Sequence, residues 1–393
     1  MTLYQKREVI ALFICKLPKI KVLKEKIGSE FDTTFEYKEG KIMKRKLLGF
    51  IMTGAMVFSM LTGCGSSGAE AKNGEINVFV WTEYVSDSAV SAFEKETGIK
   101  VNVSTYSSNE DLLAKLKSES EGTYDVILPS DYAVEYLIAQ DKLEALDKEK
   151  LTNLSNIDDA YLDESYDPGN IYSVPYEGGV ACIAVNTSKV DKEITSYADL
   201  FDASLKGQMV VLDDYRAVIG MTERSMGLSM NETNPDTLAQ VEEKLLTLKD
   251  NVKLYDSDSP KSALISGDCT VGMVWSAEAA LAMDENPDIK IVYPTEGAYV
   301  FLDNWAIPKG AKNYDGAMEF INYMLSAEAA KRNIEDFPYL CPNKAALELM
   351  GEDYVNNEAK NVPAEVISSG EFVSYLDTDT LAVYDEMWTK LKK

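Results

Sequence analysis

The chain has 393 residues, of which 65 are acidic, 39 are basic and none is histidine, so Ser-His-Asp or Cys-His nucleophiles, histidine-ligated zinc and an imidazole general base are excluded. A formal net charge of −26 repels phosphate backbones, which argues against nucleic acid as a partner and favours a cationic ligand. The composition, 46% hydrophobic and 26% charged, excludes a wholly disordered chain, and the length predicts two domains.

Residues 43–63 are typical of the signal peptide of a bacterial lipoprotein. Basic residues 44–46 precede an apolar run at 47–60, which is too short to span a bilayer comfortably, and small residues end that run just before Cys64. An ordinary buried helix is the alternative, but it does not explain the basic flank. We therefore expect lipidation of Cys64 as the mature N-terminus, with the protein anchored at the outer face of the cell membrane.

Residues 1–42 precede this signal, where a signal peptide normally has no chain. We interpret them as a non-native N-terminal extension, with translation starting at Met43. Residues 64–75 are rich in Gly, Ser and Ala and predict a flexible tether.

The later cysteines lack a metal-binding or CxxC spacing, so at most one internal disulfide is possible and free buried thiols are the preferred interpretation. These cysteines are Cys182, Cys269 and Cys341.

The body of the chain is predicted to open as a βαβ unit. Strands at 76–81 and 100–104 flank a helix at 86–97, which Gly98 ends. Further strands are predicted at 124–128, 181–185, 209–212, 271–275 and 289–292. Further helices are predicted at 109–119, 235–248, 314–325 and 380–391. Because the alternation persists to the end of the chain, two α/β lobes are expected, with a ligand between them.

Aromatic and acidic residues alternate at the predicted strand ends and in nearby loops. An ammonium group needs an opposite charge to offset its desolvation, and Trp and Tyr rings suit its methylenes and its positive face. The pattern therefore favours an alkyl amine, although core packing and helix capping remain open for each residue. Paired carboxylates also occur in glycosidases and acid proteases, but no enzyme signature or phosphate loop accompanies them here. The positions are Trp81, Thr82, Glu83, Tyr84, Ser130, Tyr132, Asp213, Asp214, Trp275, Asp303 and Tyr339.

A series of short motifs resembles, in order, the spermidine/putrescine-binding proteins of ABC importers. The motifs are Val80-Trp81-Thr82-Glu83-Tyr84, the segment 93–101, Tyr124-Asp125-Val126, Pro129-Ser130, Leu151-Thr152-Asn153, Tyr172-Ser173-Val174-Pro175-Tyr176, Gly272-Met273-Val274-Trp275 and Ala306-Ile307-Pro308. The resemblance covers residues 76–391. It implies a type II periplasmic-binding-protein clamshell of two α/β lobes, each a mixed sheet flanked by helices. The implied lobes are 76–178 with 302–349, and 179–301 with 350–393.

By position, the resemblance also implies the residues that bind the polyamine. The aromatic positions are Trp81, Tyr84, Tyr132, Trp275 and Tyr339, with Phe301 in place of a tryptophan. The acids are Glu83, Asp214 and Asp303, and the polar contacts are Thr82, Ser130 and Ser257. Ala217 and Val373 replace an acid and a glutamine of the spermidine binders. Glu177 stands where the family usually has an apolar or aromatic residue, and it is either a compensating ligand-binding acid or a solvated loop residue.

The function implied by the resemblance is capture of putrescine or spermidine outside the cytoplasm and delivery to an ABC permease. We expect a monomer that contacts the membrane only through its lipid anchor. Loss of one acid at residue 217 slightly favours the diamine putrescine. The alternatives are another solute on the same fold, such as an amino acid, a sugar or an iron chelate, and a secreted carboxylate-based hydrolase. No catalytic residue, metal, cofactor or nucleic-acid partner is predicted.

Overall fold

The computed structural model describes residues 74–393, apart from the side chain of Asp353. The predicted extension, signal peptide, lipidation site and most of the tether lie outside these residues and stay predictions. In the described part, the strands form one mixed sheet. In chain order they are β1 Glu75–Trp81, β2 Lys100–Tyr106, β3 Val126–Ile127, β4 Ser173–Asn186, β5 Met209–Val211, β6 Val252–Tyr255, β7 Val271–Trp275, β8 Ile289–Val292, β9 Tyr299–Ala306 and β10 Glu371–Phe372.

Helices alternate with these strands along the chain. In chain order the α-helices are α1 Asp87–Thr97, α2 Asn109–Ser118, α3 Asp131–Ala139, α4 Tyr215–Ser225, α5 Pro235–Leu246, α6 Lys261–Ser266, α7 Ser276–Glu285, α8 Tyr314–Met324, α9 Ala327–Asp336, α10 Lys344–Leu349, α11 Glu352–Val355, α12 Ala364–Ser369 and α13 Thr378–Lys392. Short 3₁₀ helices occupy Leu154–Asn156, Asp159–Tyr161, Tyr197–Phe201 and Ala203–Leu205. None of the helices within residues 74–393 has the length and apolar character needed to cross a membrane.

The local sequence of helix α1 determines where the helix begins, where it ends and which residues it buries. The Ser86 side chain accepts a hydrogen bond from the Ser88 backbone N–H, which satisfies one of the free donors at the helix start. Gly98 ends the helix in the left-handed region, with φ of 74°. Ala89 and Phe93, one turn apart, are fully buried and dock the helix onto the core.

The sheet contains two parallel groups of strands. β1 pairs with β2 and β3, and β5 pairs with β6 and β7. Antiparallel pairing of β3 with β9, of β9 with β4 and of β4 with β7 joins the groups in the order β2-β1-β3-β9-β4-β7-β5-β6. β8 adds to β4, and β10 adds to β9. The parallel groups are thus connected through β4 and β9.

Strands β4 and β9 form the buried centre of the sheet, and every residue in both is buried. Their register shifts between Pro175 and Glu177, and Glu177 then lies opposite Asp303. Gly178 permits close approach of the two strands, because an added Cβ would lie 2.5 Å from the Phe301 carbonyl oxygen. This pairing places polar residues of both strands near the middle of the molecule.

The structure confirms most of the predicted elements, with ends that differ by a few residues. β7 and β8 occupy the predicted ranges. β9 and the first half of β4 escape the sequence analysis because strands buried on both faces lack an alternating pattern. Several helices that pack in the core were also not predicted from the sequence; they are α3, α4, α7 and α9.

Three cysteines in the described part of the chain are free thiols. Cys182, Cys269 and Cys341 are buried, and no disulfide joins them. Burial raises the pKa of each thiol above its usual range. The preferred interpretation of these residues as free buried thiols is confirmed.

Candidate functional site

A cleft opens at the carboxyl ends of the parallel strands. Trp81 ends β1, Ser130 follows β3, Asp214 follows β5 and Trp275 ends β7. Ligands of α/β sheets bind at this edge because loops diverge there and leave a crevice. The complete lining is Trp81, Thr82, Tyr84, Ser107, Asn109, Ser130, Asp214, Ser257, Asp258, Trp275, Tyr299, Phe301, Asp303 and Tyr339.

Asp303 is a buried carboxylate in the wall of this cleft. It lies on β9 and is 2% exposed. The Tyr84 hydroxyl donates to one carboxylate oxygen at 2.6 Å, and the Ser130 hydroxyl donates to the other at 2.5 Å. Burial raises the pKa of Asp303 to about 7, although these hydroxyls oppose the shift. A cation in the cleft would stabilise the ionised form.

Asp214 is a second lining acid, and the fold positions it at the start of helix α4. Its carboxylate accepts the Ala217 backbone N–H at 2.9 Å and caps the helix. The residue is 8% exposed. Burial raises its pKa, while the Ala217 N–H and the Arg216 guanidinium lower it. Asp214 therefore presents a partly stabilised negative charge to the cleft.

Aromatic rings cover much of the space between the acids. Ring centroids are 5.1 Å apart for Trp275 and Phe301, 4.6 Å for Tyr84 and Tyr339, and 6.2 Å for Phe301 and Tyr339. Their edge-to-face packing fixes the rings without a ligand. The rings thus provide a stable apolar surface for methylene groups.

One polar atom of a lining residue, the buried Ser257 hydroxyl oxygen, has no hydrogen-bond partner among the described residues. An unsatisfied buried polar group costs free energy. A polar ligand or ordered water in the cleft would relieve this cost.

Glu83 does not line the cleft, although it was predicted to bind the ligand. It stands between the lining residues Thr82 and Tyr84, but its carboxylate is paired with the Lys261 ammonium at 2.8 Å. That ammonium also pairs with Glu278 at 2.9 Å. Glu83 and Glu278 thus share the single positive charge of Lys261.

Tyr132 also lies outside the lining. Its hydroxyl donates to Glu110 at 3.2 Å, and its ring lies 5.6 Å from the Arg216 guanidinium carbon. Burial, followed by the charge of Asp214, raises the pKa of Glu110 to about 7. Tyr132 therefore belongs to a buried polar layer next to Asp214.

Glu177 differs most from expectation. It is neither a solvated loop residue nor part of the lining, because it is 1% exposed in the middle of β4. Burial raises its pKa well above the usual range; hydrogen bonding with the Tyr176 side chain opposes this shift, and the nearby Asp303 adds to it. A neutral carboxylic acid is the form that this environment favours.

Four lining residues were missed by the sequence analysis, namely Ser107, Asn109, Asp258 and Tyr299. Ser107 and Asn109 follow β2, so the strand-end rule that selected Ser130 also applies to them. Asn109 donates to the Ser130 hydroxyl at 3.0 Å. Asp258 directly follows Ser257, whereas Tyr299 carries no local signal. The site residues assigned by position remain predictions until a ligand is bound.

Chemically, the cleft suits an elongated organic cation. Asp214 and Asp303 provide buried negative charge, and the rings between them provide apolar contact and attraction for an ammonium. Among the described residues, no group of His, Cys, Asp or Glu side chains has the geometry of a metal site. The arrangement supports binding by charge and shape.

Comparisons with known proteins find that this chain is similar to solute-binding proteins. The family model for bacterial extracellular solute-binding proteins matches residues 88–363. The spermidine/putrescine-binding periplasmic protein of Salmonella typhimurium is 37% identical over 89% of this chain and 99% of its own length.

Two solved structures are also similar. A spermidine/putrescine ABC transporter substrate-binding protein from Streptococcus pneumoniae is 32% identical, with a TM-score of 0.70 over 81% of this chain and 98% of its own. A lipoprotein of Treponema pallidum is 27% identical, with a TM-score of 0.71 over 81% of this chain and 99% of its own. These similarities extend over nearly the whole length of each related protein.

Proposed function

This chain belongs to the bacterial extracellular solute-binding proteins, and we propose that its solute is a polyamine, putrescine or spermidine. Its fold is the two-lobed type II clamshell of periplasmic binding proteins. The observation that carries the proposal is the pair of buried carboxylates, Asp214 and Asp303, in a cleft walled by aromatic rings. The names of the related proteins support the same solute class.

In the proposed complex, one ammonium of the polyamine pairs with Asp303 and another with Asp214. The Tyr84 and Ser130 hydroxyls hold the Asp303 carboxylate in place, so little reorganisation is needed on binding. The methylenes lie against Trp275 and the other rings. Closure of the cleft strengthens these pairs because it removes water from them.

The proposal extends to delivery of the solute. The chain crosses between its two lobes at β4 and β9, which we place near residues 178 and 301. Closure of the lobes on the polyamine would create the form that an ABC permease recognises. A lipid at Cys64 would hold the protein, as a monomer, at the outer face of the cell membrane.

A ligand panel tests the proposed solute. A ligand that binds only the native state stabilises it by RT ln(1 + [L]/Kd), so the melting temperature rises with the logarithm of ligand concentration above Kd. We expect putrescine or spermidine to stabilise the purified protein, and amino acids, sugars and iron chelates to have no such effect. Stabilisation by another solute alone would overturn the polyamine assignment. Turnover of a glycoside or peptide without stabilisation would favour the hydrolase alternative.

Asp303→Asn is expected to weaken binding of the preferred polyamine. An unpaired charge in a dry site costs on the order of 3–5 kcal/mol, which corresponds to roughly a hundredfold or more in affinity. Calorimetric titration measures the change. Asp268→Asn is the matched control, since Asp268 is 77% exposed and pairs only weakly with Lys253. Equal affinity of Asp303→Asn and the wild type would remove Asp303 from the site.

A further inference from the structure

The wall of the cleft carries a third acid that the proposed complex does not use. Asp258 lines the cleft together with Asp214 and Asp303, and none of the residues that line it in the described chain is a lysine or an arginine. The charged side chains of the lining are therefore all acidic. A cation with one charge for each acid would compensate them fully.

Asp258 is accessible to a ligand. It is exposed, and within residues 74–393 its carboxylate accepts no hydrogen bond and forms no ion pair, whereas its backbone N–H donates to the Asp256 carboxylate at 2.9 Å. The adjacent lining residue, Ser257, has the buried hydroxyl oxygen without a partner in the described chain. A ligand can therefore bind to both side chains without breaking an existing contact.

The pairing of strands places Asp258 next to Asp214. β5 and β6 are parallel neighbours, with Val211 opposite Tyr255 at their carboxyl ends, and each acid follows three residues after that pair. The Asp256 backbone N–H donates to the Val211 carbonyl oxygen at 2.9 Å, so the two segments stay together just past the strands. Because neighbouring strands lie about 4.7–4.9 Å apart, the two acids leave the sheet side by side.

Asp303 lies farther along the same sheet, on β9. Strands β4 and β7 separate β9 from β5 in the strand order. The cleft therefore has a pair of neighbouring acids, Asp214 and Asp258, and one separate acid, Asp303.

This uneven spacing matches the chemistry of a triamine. In spermidine, three methylenes separate the central ammonium from one terminal ammonium, and four separate it from the other. The closer pair of charges suits the neighbouring acids Asp214 and Asp258, and the remaining charge suits Asp303. Putrescine has two charges, so it leaves one of the three acids without a partner.

We propose that Asp258 is a specificity-determining residue that pairs with a third ligand ammonium and thereby selects spermidine over putrescine. This inference rests on the proposed polyamine function. The preference for putrescine expected from residue 217 counted only the acids identified in the sequence, and Asp258 was not among them. With Asp258 included, the cleft has one acid for each charge of spermidine.

The test compares affinities for putrescine and spermidine in the wild type and in Asp258→Asn by titration calorimetry. The wild type is expected to prefer spermidine. Because Asp258 is exposed, its ion pair should contribute about two- to fivefold in affinity for spermidine. Asp258→Asn should remove that contribution and leave the affinity for putrescine nearly unchanged. A wild type that prefers putrescine would overturn the proposal, and so would an unchanged affinity ratio in Asp258→Asn.

N-butylputrescine separates the effect of charge from that of length. This compound has a methyl group in place of the terminal ammonium on the three-methylene arm of spermidine, so it keeps the length and loses one charge. We expect Asp258→Asn to leave the affinity for N-butylputrescine unchanged. An equal loss of affinity for N-butylputrescine and spermidine would show that Asp258 does not act on the third charge, which would overturn the proposal.

Two matched variants serve as controls. Asp258→Glu keeps the negative charge and should keep the preference for spermidine. Asp268→Asn removes an acid that is 77% exposed and lies outside the cleft lining, so it should leave the affinity ratio unchanged. A shift of the ratio in Asp268→Asn as large as in Asp258→Asn would show a general effect of net charge and would overturn the proposal.

Failure of the proposed function has a different signature. A wild type that binds neither polyamine shows that the solute class is wrong, and the inference about Asp258 is then wrong too. A wild type that binds both, with a ratio unaffected by Asp258→Asn, shows that the solute class is right and that another residue sets the preference.

Discussion

Asp303 and Glu177 lie opposite each other on β9 and β4, yet their environments differ. Asp303 accepts hydrogen bonds from two hydroxyls and faces the cleft. Glu177 does not line the cleft and is only 1% exposed. Two buried carboxylates this close are not both ionised at low cost. Asp303 is therefore the acid suited to a ligand cation, and Glu177 the one suited to remain neutral.

Polyamine affinity is expected to decrease as the pH falls below 7. Burial raises the pKa of Asp303 to about 7, so in the free protein this group takes up a proton below that pH. An ammonium ligand favours the ionised form and must displace the proton. For one linked proton, the affinity falls by up to about tenfold per pH unit. Titration calorimetry in buffers of different protonation enthalpy should detect proton release on binding.

The same shift predicts how stability depends on pH without ligand. The folded-state pKa of Asp303 lies above the unfolded value of about 3.9. Its contribution is therefore fully present below about pH 4 and is lost as the pH rises through about 7. Asp303→Asn should remove this contribution and reduce the pH dependence of binding. Wild-type affinity that is the same at about pH 5.5 and about pH 7.5 would contradict the predicted linkage.

At the scale of elements, helix α4 joins structure and binding in one residue. Asp214 caps the helix through the Ala217 N–H and also lines the cleft. Because the cap fixes the carboxylate at the end of β5, no flexible loop has to position it. Substitutions of Asp214 can therefore remove its negative charge with or without removing its capping oxygen.

Asp214→Ser and Asp214→Ala are expected to differ in stability but not in binding. Serine keeps a capping oxygen, whereas alanine removes it at a cost of about 0.5–2 kcal/mol. Both substitutions remove the negative charge, so both should weaken polyamine binding strongly. Urea unfolding and titration calorimetry measure the two effects. If the serine variant binds like the wild type, Asp214 acts only as a helix cap.

At the scale of the whole molecule, the described structure and the predicted anchor have separate roles. The clamshell carries the cleft, and the segment before residue 76 is expected only to hold it near the membrane. No described helix can serve as a membrane span. The lipid at Cys64 stays a prediction from the sequence.

Cys64→Ser is expected to release the protein from the membrane fraction, because the thiol is the attachment point for the lipid. Cell fractionation with antibody detection measures the distribution. Ser66→Ala, a neighbouring change that keeps the thiol, should leave the protein with the membranes. Membrane retention of Cys64→Ser, with residues 1–63 still attached, would show instead that the apolar segment itself is the anchor.

The sequence by itself determined the parts of this protein that depend on neighbours in the chain. Helix α1 was predictable because Ser86, Phe93 and Gly98 give its start, its buried face and its end. The acids and rings of the cleft were identified because they stand at strand ends or match an ordered series of motifs. Composition also indicated a cationic ligand, since charge is a property of the whole chain.

Only the tertiary structure decided which of these charges are available to a ligand. Glu83 looked like Asp303 in sequence, but its carboxylate forms an ion pair with a lysine 178 residues away and does not line the cleft. Glu177 was open to two interpretations, and its burial in β4 excludes the solvated one. The physical reason is that local patterns report only nearby contacts, whereas the ionisation of an acid depends on every charge and every desolvating group that the fold brings within a few ångströms.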